Sequence, residues 1–254
     1  MSSPTWTPGA LRSEATAYAG LAWRLVEAQH IVSTLKLVDR LDEQRLLEDI
    51  LEETKPQVPE ACRHLDYLLF TPFRYRPYPN GSRFRRAGLT PGVWYGAEHV
   101  ETSLAEMIFY RYLFYAESPE TPFPKDAAQY TAVGVQLKTA VAIDLTGGRL
   151  AEDGDEWEHP TRYDACQDIE NAARAMSCEL IRYRSVRDPG RRAAVAVLEC
   201  AAFAEVRPSR HQTWRVRLSR GGAVAACEHP GDAIAFPTDA FDADPRLAAM
   251  NWDR

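Results

Sequence analysis

The sequence predicts a mixed α+β fold in which a β-sheet core is flanked by helices. Strand-like and helix-like segments follow one another without the regular βαβ alternation of a doubly wound sheet. The 254 residues are 45% hydrophobic and 26% charged, which is typical of a globular chain long enough to bury a core. The five cysteines are odd in number and widely spaced, without a CxxC pair. This spacing favours buried free thiols over a disulfide framework or a structural zinc site.

Residues 1–60 are predicted to form a loose arm followed by a helical extension. Ser, Thr, Pro and Gly dominate residues 1–11. We expect residues 13–53 to be mostly helical, with a break near Ser33–Thr34 and a stop at Lys55–Pro56. An apolar stripe at helical spacing supports this, formed by Leu46, Leu47, Ile50 and Leu51. The stripe needs a partner surface, which core packing alone could supply.

Residues 61–254 are predicted to form the main domain. A short apolar segment, 67–70, leads into a proline-rich loop, 71–81, and the tail after Pro230 is acidic and rich in turns. The helices are expected at 100–116 and 163–176. The strands are expected at 93–95, 132–137, 141–145, 179–183, 193–203 and 214–218.

Charge and motifs exclude several classes of protein. The net charge is −6, which disfavours direct nucleic-acid binding. Neither a membrane span nor a signal peptide is predicted, so we expect a cytoplasmic protein. Rossmann and P-loop fingerprints are absent from the sequence, and so is an HExxH zinc motif.

A loop rich in arginine is the first candidate site. Five arginines fall within residues 74–86, among aromatic side chains and Gly81. Guanidinium groups bind phosphates through paired hydrogen bonds, and aromatic rings stack on bases. A solvated basic loop remains the alternative interpretation.

The helix predicted at 100–116 carries the second candidate. From Thr102 to Ala116 its only charges are Glu106 and Arg111, so it is apolar nearly all round and should be buried. Burying the ionised Glu106 side chain costs roughly several kcal/mol of folding free energy unless a positive charge pairs with it. That carboxylate therefore either pairs with a loop arginine or has a functional role.

The third candidate combines the segment Tyr163–Gln167 with the segment 181–188. Polar side chains at a helix N-terminus favour anions, although plain helix capping is the commoner explanation. Cys166 has no paired base in the sequence, so we interpret it as a buried thiol.

Together these residues resemble the RES domain, a family named for Arg, Glu and Ser positions. The resemblance rests on the order of Gly-Ser-Arg83-Phe, Val-Trp-Tyr95-Gly-Ala and Thr-Ser-Leu-Ala-Glu106, over about residues 67–205. The stretch 23–30 also resembles the N-terminal extension of longer RES proteins. The family implies a fold similar to the ADP-ribosyltransferase toxins and a toxin of an Xre–RES toxin–antitoxin module that acts on NAD.

Carried over by position, the resemblance implies catalytic roles for Arg83 and Glu106. It also implies NAD-binding roles for Arg74, Tyr75 and Tyr95. For the family's serine two residues compete, Asp164 before Cys-Gln and Ser185 in Tyr-Arg-Ser-Val-Arg. NAD is then a substrate, with inorganic phosphate a possible co-substrate and neither a metal nor a cofactor.

The resemblance leaves three functions open. The first is an NAD phosphorylase or glycohydrolase that releases nicotinamide and is neutralised by an Xre-like antitoxin, possibly within an oligomer. The second is an ADP-ribosyltransferase that modifies a host protein with the same site. The third is a catalytically inactive binding module, and the Asp164 substitution is its only support.

Overall fold

One mixed sheet of eight strands forms the centre of the protein. The computed structural model describes residues 6–27 and 37–253. The strands are β1 Thr16–Glu27, β2 Trp94–Ala97, β3 Ala128–Asp144, β4 Leu180–Arg184, β5 Ala193–Val197, β6 Arg210–Ser219, β7 Gly222–Cys227 and β8 Ala233–Phe236.

The strands pair in the order β1-β2-β5-β4-β3-β6-β7-β8, and β1 also pairs with β3. Strands β1, β2, β5, β4 and β3 therefore form a closed circuit of pairings, from which β6 to β8 extend. Only β3 and β4 pair in parallel among the named strands. The mixed α+β prediction is confirmed.

Seven α-helices cover this sheet in the described ranges. They are α1 Pro8–Glu14, α2 Leu41–Glu53, α3 Tyr67–Arg74, α4 Val100–Glu117, α5 Gly154–Trp157, α6 Asp164–Ala175 and α7 Pro245–Ala248. Short 3-10 helices span Glu60–Cys62, Gly148–Asp153, Cys200–Ala202 and Thr238–Phe241. None of the helices within 6–27 and 37–253 is both long and apolar enough to cross a lipid bilayer.

The helical prediction for residues 13–53 is wrong where β1 lies and correct for α2. Alanines, leucines, Arg24 and Glu27 gave residues 16–27 a helical composition. Tertiary pairing overrides that preference, because β1 runs antiparallel to β3 from Thr16 opposite Ala142 to Glu27 opposite Tyr130. The predicted division after residue 60 therefore separates β1 from the other strands of the same sheet. The expected break near Ser33–Thr34 lies outside the described residues.

Helix α3 covers the predicted apolar segment, 67–70, and continues into the predicted loop as far as Arg74. Asp66 caps it by accepting a hydrogen bond from the Leu68 amide at 2.9 Å. Although Pro72 lies inside it, the helix continues to Arg74. The loop prediction was wrong for residues 71–74. Farther along, β3 is one strand where two were expected, and the strand predicted at 193–203 ends at Val197.

Helix α4 is buried along one side, whereas Tyr110 and Phe114 on the other are about half exposed, so the prediction of a helix buried all round is only partly correct. Its apolar side packs with β6, β7 and the C-terminal segment, and includes the fully buried Leu104, Ile108 and Tyr112. The Ser103 hydroxyl donates to the Trp23 carbonyl of β1 at 2.8 Å. These contacts fix the helix that carries Glu106.

The prediction that all cysteines are free thiols was wrong for two of them. Cys62 and Cys200 form a disulfide with a Cα–Cα distance of 5.5 Å. They are 138 positions apart, so only the fold brings them together. Cys166, Cys178 and Cys227 are free and buried.

Reducing this disulfide is expected to lower the free energy of unfolding by about 5 kcal/mol, because a long covalent loop restricts the unfolded chain. Urea unfolding of the oxidised and reduced chain measures the difference. Thiol titration in denaturant should find three reactive thiols before reduction and five after it. Five thiols before reduction would contradict the pairing.

Candidate functional site

A cleft of about 540 Å³ opens between β1, β2, α4 and the loops around residues 78–85 and 183–187. Of the described residues that line it, one is a carboxylate, Glu106, and four are arginines. Aromatic rings supply much of the remaining wall. They belong to Trp23, Tyr78, Tyr95, Tyr110, Tyr163 and Tyr183.

Glu106 reaches the cleft from the middle of α4. The Ser185 hydroxyl donates a hydrogen bond to its Oε1. Burial raises the pKa of Glu106, while the Ser185 hydrogen bond and the charges of Arg187 and Arg83 oppose the rise. The described residues give Glu106 no ion-pair partner, so the predicted pairing with a loop arginine is not formed. The carboxylate is left to face a ligand.

Ser185 is completely buried at the end of β4. Its oxygen accepts hydrogen bonds from the amides of Arg187 at 3.2 Å and Asp188 at 3.1 Å. Because these two donors occupy the oxygen, the hydroxyl proton is directed to Glu106. Ser185 thus orients the carboxylate from behind.

Arg83 lies buried in the wall of the cleft. Its guanidinium donates to the carbonyls of Trp157 and His159, the latter at 3.1 Å, and stacks 4.9 Å from the centre of the Tyr163 ring. Burial lowers the pKa of Arg83, but the nearby Cys166, Tyr163 and Tyr183 outweigh burial and the net pKa is raised. Arg83 is therefore a fixed positive charge beside Glu106.

Tyr95 holds the loop that carries Arg83. Its hydroxyl accepts from the Phe84 amide at 3.1 Å and hydrogen-bonds the Ser82 hydroxyl at 2.9 Å. Burial raises the pKa of Tyr95 to about 12, so the phenol stays neutral. Gln167 of α6 braces the same loop by donating to the carbonyls of Ser82 and Arg85.

Arg24 and Arg85 form a second cationic group near Tyr78. Arg85 belongs to the predicted arginine-rich loop, whereas Arg24 was not predicted as a site residue. Arg85 stacks 4.6 Å from the Tyr78 ring centre, and its buried Nε has no hydrogen-bond partner in the described chain. Arg24 has its guanidinium 5.7 Å from the Trp94 ring centre, with no hydrogen bond or ion pair to a described residue. Burial lowers the pKa of Arg24 to about 10, which still leaves it charged at neutral pH. Arg85 also donates through Nη2 to the Asn80 carbonyl at 3.3 Å. The other guanidinium N–H groups of these two residues have no partner among the described residues, so they can bind an anion.

Arg187, within the predicted third candidate segment but without an assigned role there, lines the cleft two positions after Ser185. It donates to the Tyr163 hydroxyl at 2.9 Å and to the Pro160 carbonyl. The alternating Arg-Tyr-Arg-Ser-Val-Arg segment was the signal that could have identified it.

Three predicted site residues lie elsewhere. Arg74 pairs with Glu52 of α2 at 2.6 Å and donates to the Pro56 carbonyl. Tyr75, at the end of α3, and Asp164, the exposed first residue of α6, do not contribute to the cleft wall. Of the two candidates for the family serine, the structure places Ser185 against Glu106 and leaves Asp164 exposed.

Within 6–27 and 37–253, no three His, Cys, Asp or Glu side chains stand close enough to hold a metal ion.

Replacing Glu106 with Gln is expected to stabilise the fold at alkaline pH. The raised pKa means that the folded chain disfavours the ionised carboxylate. Glu106 therefore lowers the free energy of unfolding above its raised pKa, and this cost vanishes below the ordinary glutamate pKa. Thermal unfolding at about pH 8 and about pH 3.5 tests this, with Glu117→Gln on the same helix as control. A destabilised Glu106→Gln at about pH 8 would contradict it.

Comparison with known proteins gives a family and a likeness to solved structures. The sequence profile of the RES domain matches residues 58–219. The crystal structure of the M. tuberculosis MbcT–MbcA toxin–antitoxin complex contains a similar chain, with a TM-score of 0.48 and 10% identity. That likeness covers 95% of this chain and 97% of the other. No curated protein matches the sequence.

Proposed function

This chain belongs to the RES-domain family, and from that premise we propose that it is a toxin that consumes NAD in the cleft around Glu106. One observation carries the proposal. The cleft sets a single carboxylate, without a cationic partner among the described residues, beside arginines and aromatic rings. A carboxylate without an ion pair and guanidinium groups with unused donors, both judged among the described residues, suit a substrate that carries a positive and a negative charge.

NAD carries both. Its pyrophosphate is anionic, whereas its nicotinamide ring is cationic and becomes neutral when the bond to ribose breaks. Arg24 and Arg85 would bind the pyrophosphate, because the described residues leave all of the Arg24 donors and most of the Arg85 donors unused, whereas Arg83 donates to two main-chain carbonyls and the Cys166 sulfur. The aromatic walls would stack on the two bases.

Glu106 would act on the ribose. Breaking the N-glycosidic bond sends its electron pair to nicotinamide and leaves positive charge on the ribose, as in glycoside cleavage. A carboxylate held by Ser185 and shielded from bulk water stabilises that charge where it develops. Water or phosphate then attacks the anomeric carbon, and a proton is lost from the attacking oxygen.

The acceptor distinguishes the candidate reactions. Attack by phosphate is phosphorolysis, attack by water is hydrolysis, and attack by a protein side chain is ADP-ribosylation of a host protein. The third candidate, an inactive binding module, rested on Asp164 near a pyrophosphate. Because Asp164 is exposed and away from the cleft wall, that observation no longer supports it.

The proposal includes an Xre-like antitoxin as the partner that blocks the cleft, an oligomer formed by the two proteins, and a cytoplasmic location. NAD enters as substrate, with no cofactor. Support for the partner comes from membership in the RES family and from the resemblance described for the sequence.

Glu106→Gln is expected to lower kcat for nicotinamide release by at least ~100-fold, because it removes the charge that stabilises the ribose cation. Arg24→Gln should raise KM about tenfold through loss of a charged hydrogen bond to phosphate. The matched controls are Glu117→Gln, at the exposed end of the same helix, and Arg217→Gln, exposed on β6. Full turnover in Glu106→Gln would refute the proposed role.

The products of labelled NAD identify the acceptor. We expect nicotinamide release by purified, antitoxin-free protein, measured by chromatography with and without inorganic phosphate. Dependence on phosphate identifies a phosphorylase, and release without it identifies a glycohydrolase. Adenine-labelled NAD that leaves its label on protein instead identifies the transferase. Folded protein that gives none of these products would refute NAD consumption.

A further inference from the structure

The C-terminal segment, residues 238–250, lies beyond the part of the chain that the RES profile matches. One buried carboxylate of this segment nevertheless contacts Arg187, a residue of the cleft wall. Asp244 is 1% exposed and caps α7 by accepting a hydrogen bond from the Arg246 amide at 3.0 Å. A carboxylate this deeply buried requires strong partners.

Two arginines supply those partners. Oδ2 of Asp244 accepts from Nη1 of Arg187 at 2.8 Å and from Nη2 of Arg246 at 2.8 Å. Oδ1 accepts from Nε of Arg246 at 2.9 Å. Both guanidinium groups also stack on Phe109 of α4, Arg187 at 3.9 Å and Arg246 at 5.9 Å from the ring centre. Asp244 thus links the tail to Arg187 and to the helix that carries Glu106.

The groups that act on the Glu106 carboxylate are few. Ser185 donates to it, and the charges of Arg187 and Arg83 favour its ionised form, whereas burial and the charge of Asp188 disfavour it. Tyr110 and Tyr183 also face it as neutral phenols, since burial raises the pKa of both. Arg83 is fixed by carbonyls in its own wall of the cleft, but Arg187 depends on Asp244 for its only carboxylate partner among the described residues.

We propose that Asp244 is a positioning residue for the NAD-cleaving site: it holds Arg187 against Phe109, so that the guanidinium charge stays in the cleft wall near Glu106 and favours the carboxylate form of that residue. The inference rests on the proposed function. It adds to the site a residue outside the matched family range, which touches neither substrate nor reacting atoms and acts through Arg187.

The direction in which the pKa of Glu106 moves when Asp244 is neutralised distinguishes a positioning role from a direct effect of the Asp244 charge. If Asp244 only contributed negative charge, neutralising it would lower the pKa of Glu106. If Asp244 positions Arg187, neutralising it lets the guanidinium move away and raises the pKa of Glu106. The two roles therefore shift the acid limb of the activity profile in opposite directions.

The experiment is the pH profile of kcat for nicotinamide release by the full-length Asp244→Asn variant. We expect the acid limb to move about one unit to higher pH, which means about a tenfold lower kcat in that limb, with the alkaline plateau nearly retained. Asp244→Glu should restore the wild-type limb. Asp242→Asn, an exposed carboxylate two positions away, is the matched control and should not shift it.

The outcomes are distinct. An unchanged limb, or one moved to lower pH, in an active and folded Asp244→Asn variant overturns the positioning role and leaves the proposed function intact. A wild-type chain that does not cleave NAD overturns both. If circular dichroism shows that Asp244→Asn does not fold, Arg187→Lys carries the test. This variant keeps the positive charge but loses the stacking on Phe109 and the forked hydrogen bonds of the guanidinium group. The acid limb of its pH profile should therefore also move to higher pH.

Discussion

The pairing of β1 with β3 is the interaction on which the site depends. Its register runs from Thr16 opposite Ala142 to Glu27 opposite Tyr130. It closes the circuit of strands and aligns the Trp23 carbonyl with the Ser103 hydroxyl of α4. Since α4 carries Glu106, one long antiparallel ladder fixes the position of this carboxylate and also places Arg24 in the wall of the same cleft.

The four arginines of the cleft differ in how many of their guanidinium N–H groups are hydrogen-bonded within the described chain. Arg83 and Arg187 are bonded to carbonyls, a phenol or a carboxylate, so they act as fixed charges around Glu106. Arg24 and Arg85 keep donors that the described residues do not use. This division lets the cleft keep Glu106 without an ion-pair partner among the described residues and still offer guanidinium donors to an anionic ligand.

The sequence predicts the local features of the site and misses the long-range ones. Strand β2, helix α4 and the buried Glu106 follow from short runs of residues whose composition and tertiary role agree. Arg24 was missed because the helical composition of residues 16–27 yields to pairing with a strand more than a hundred positions away. Arg74 was assigned to the ligand by motif order, yet α3 extends far enough to turn it toward Glu52. The choice between Ser185 and Asp164 required the fold, because only spatial proximity to Glu106 separates them.

The disulfide makes residues 62–200 a covalent ring. Arg83, Glu106, Ser185 and Arg187 all belong to that ring, whereas Arg24 and Asp244 enter from the two chain segments outside it. The residues of the ring are thus tied to one another by the backbone and a cross-link, whereas β1 and the C-terminal segment are joined to it by strand pairing, side-chain contacts and ion pairs. Because Trp23 of β1 also holds Ser103 of α4, proteolytic loss of the segment that carries β1 would displace Glu106 as well as remove Arg24. Loss of the C-terminal segment would instead release Arg187 from Asp244 and leave the ring closed.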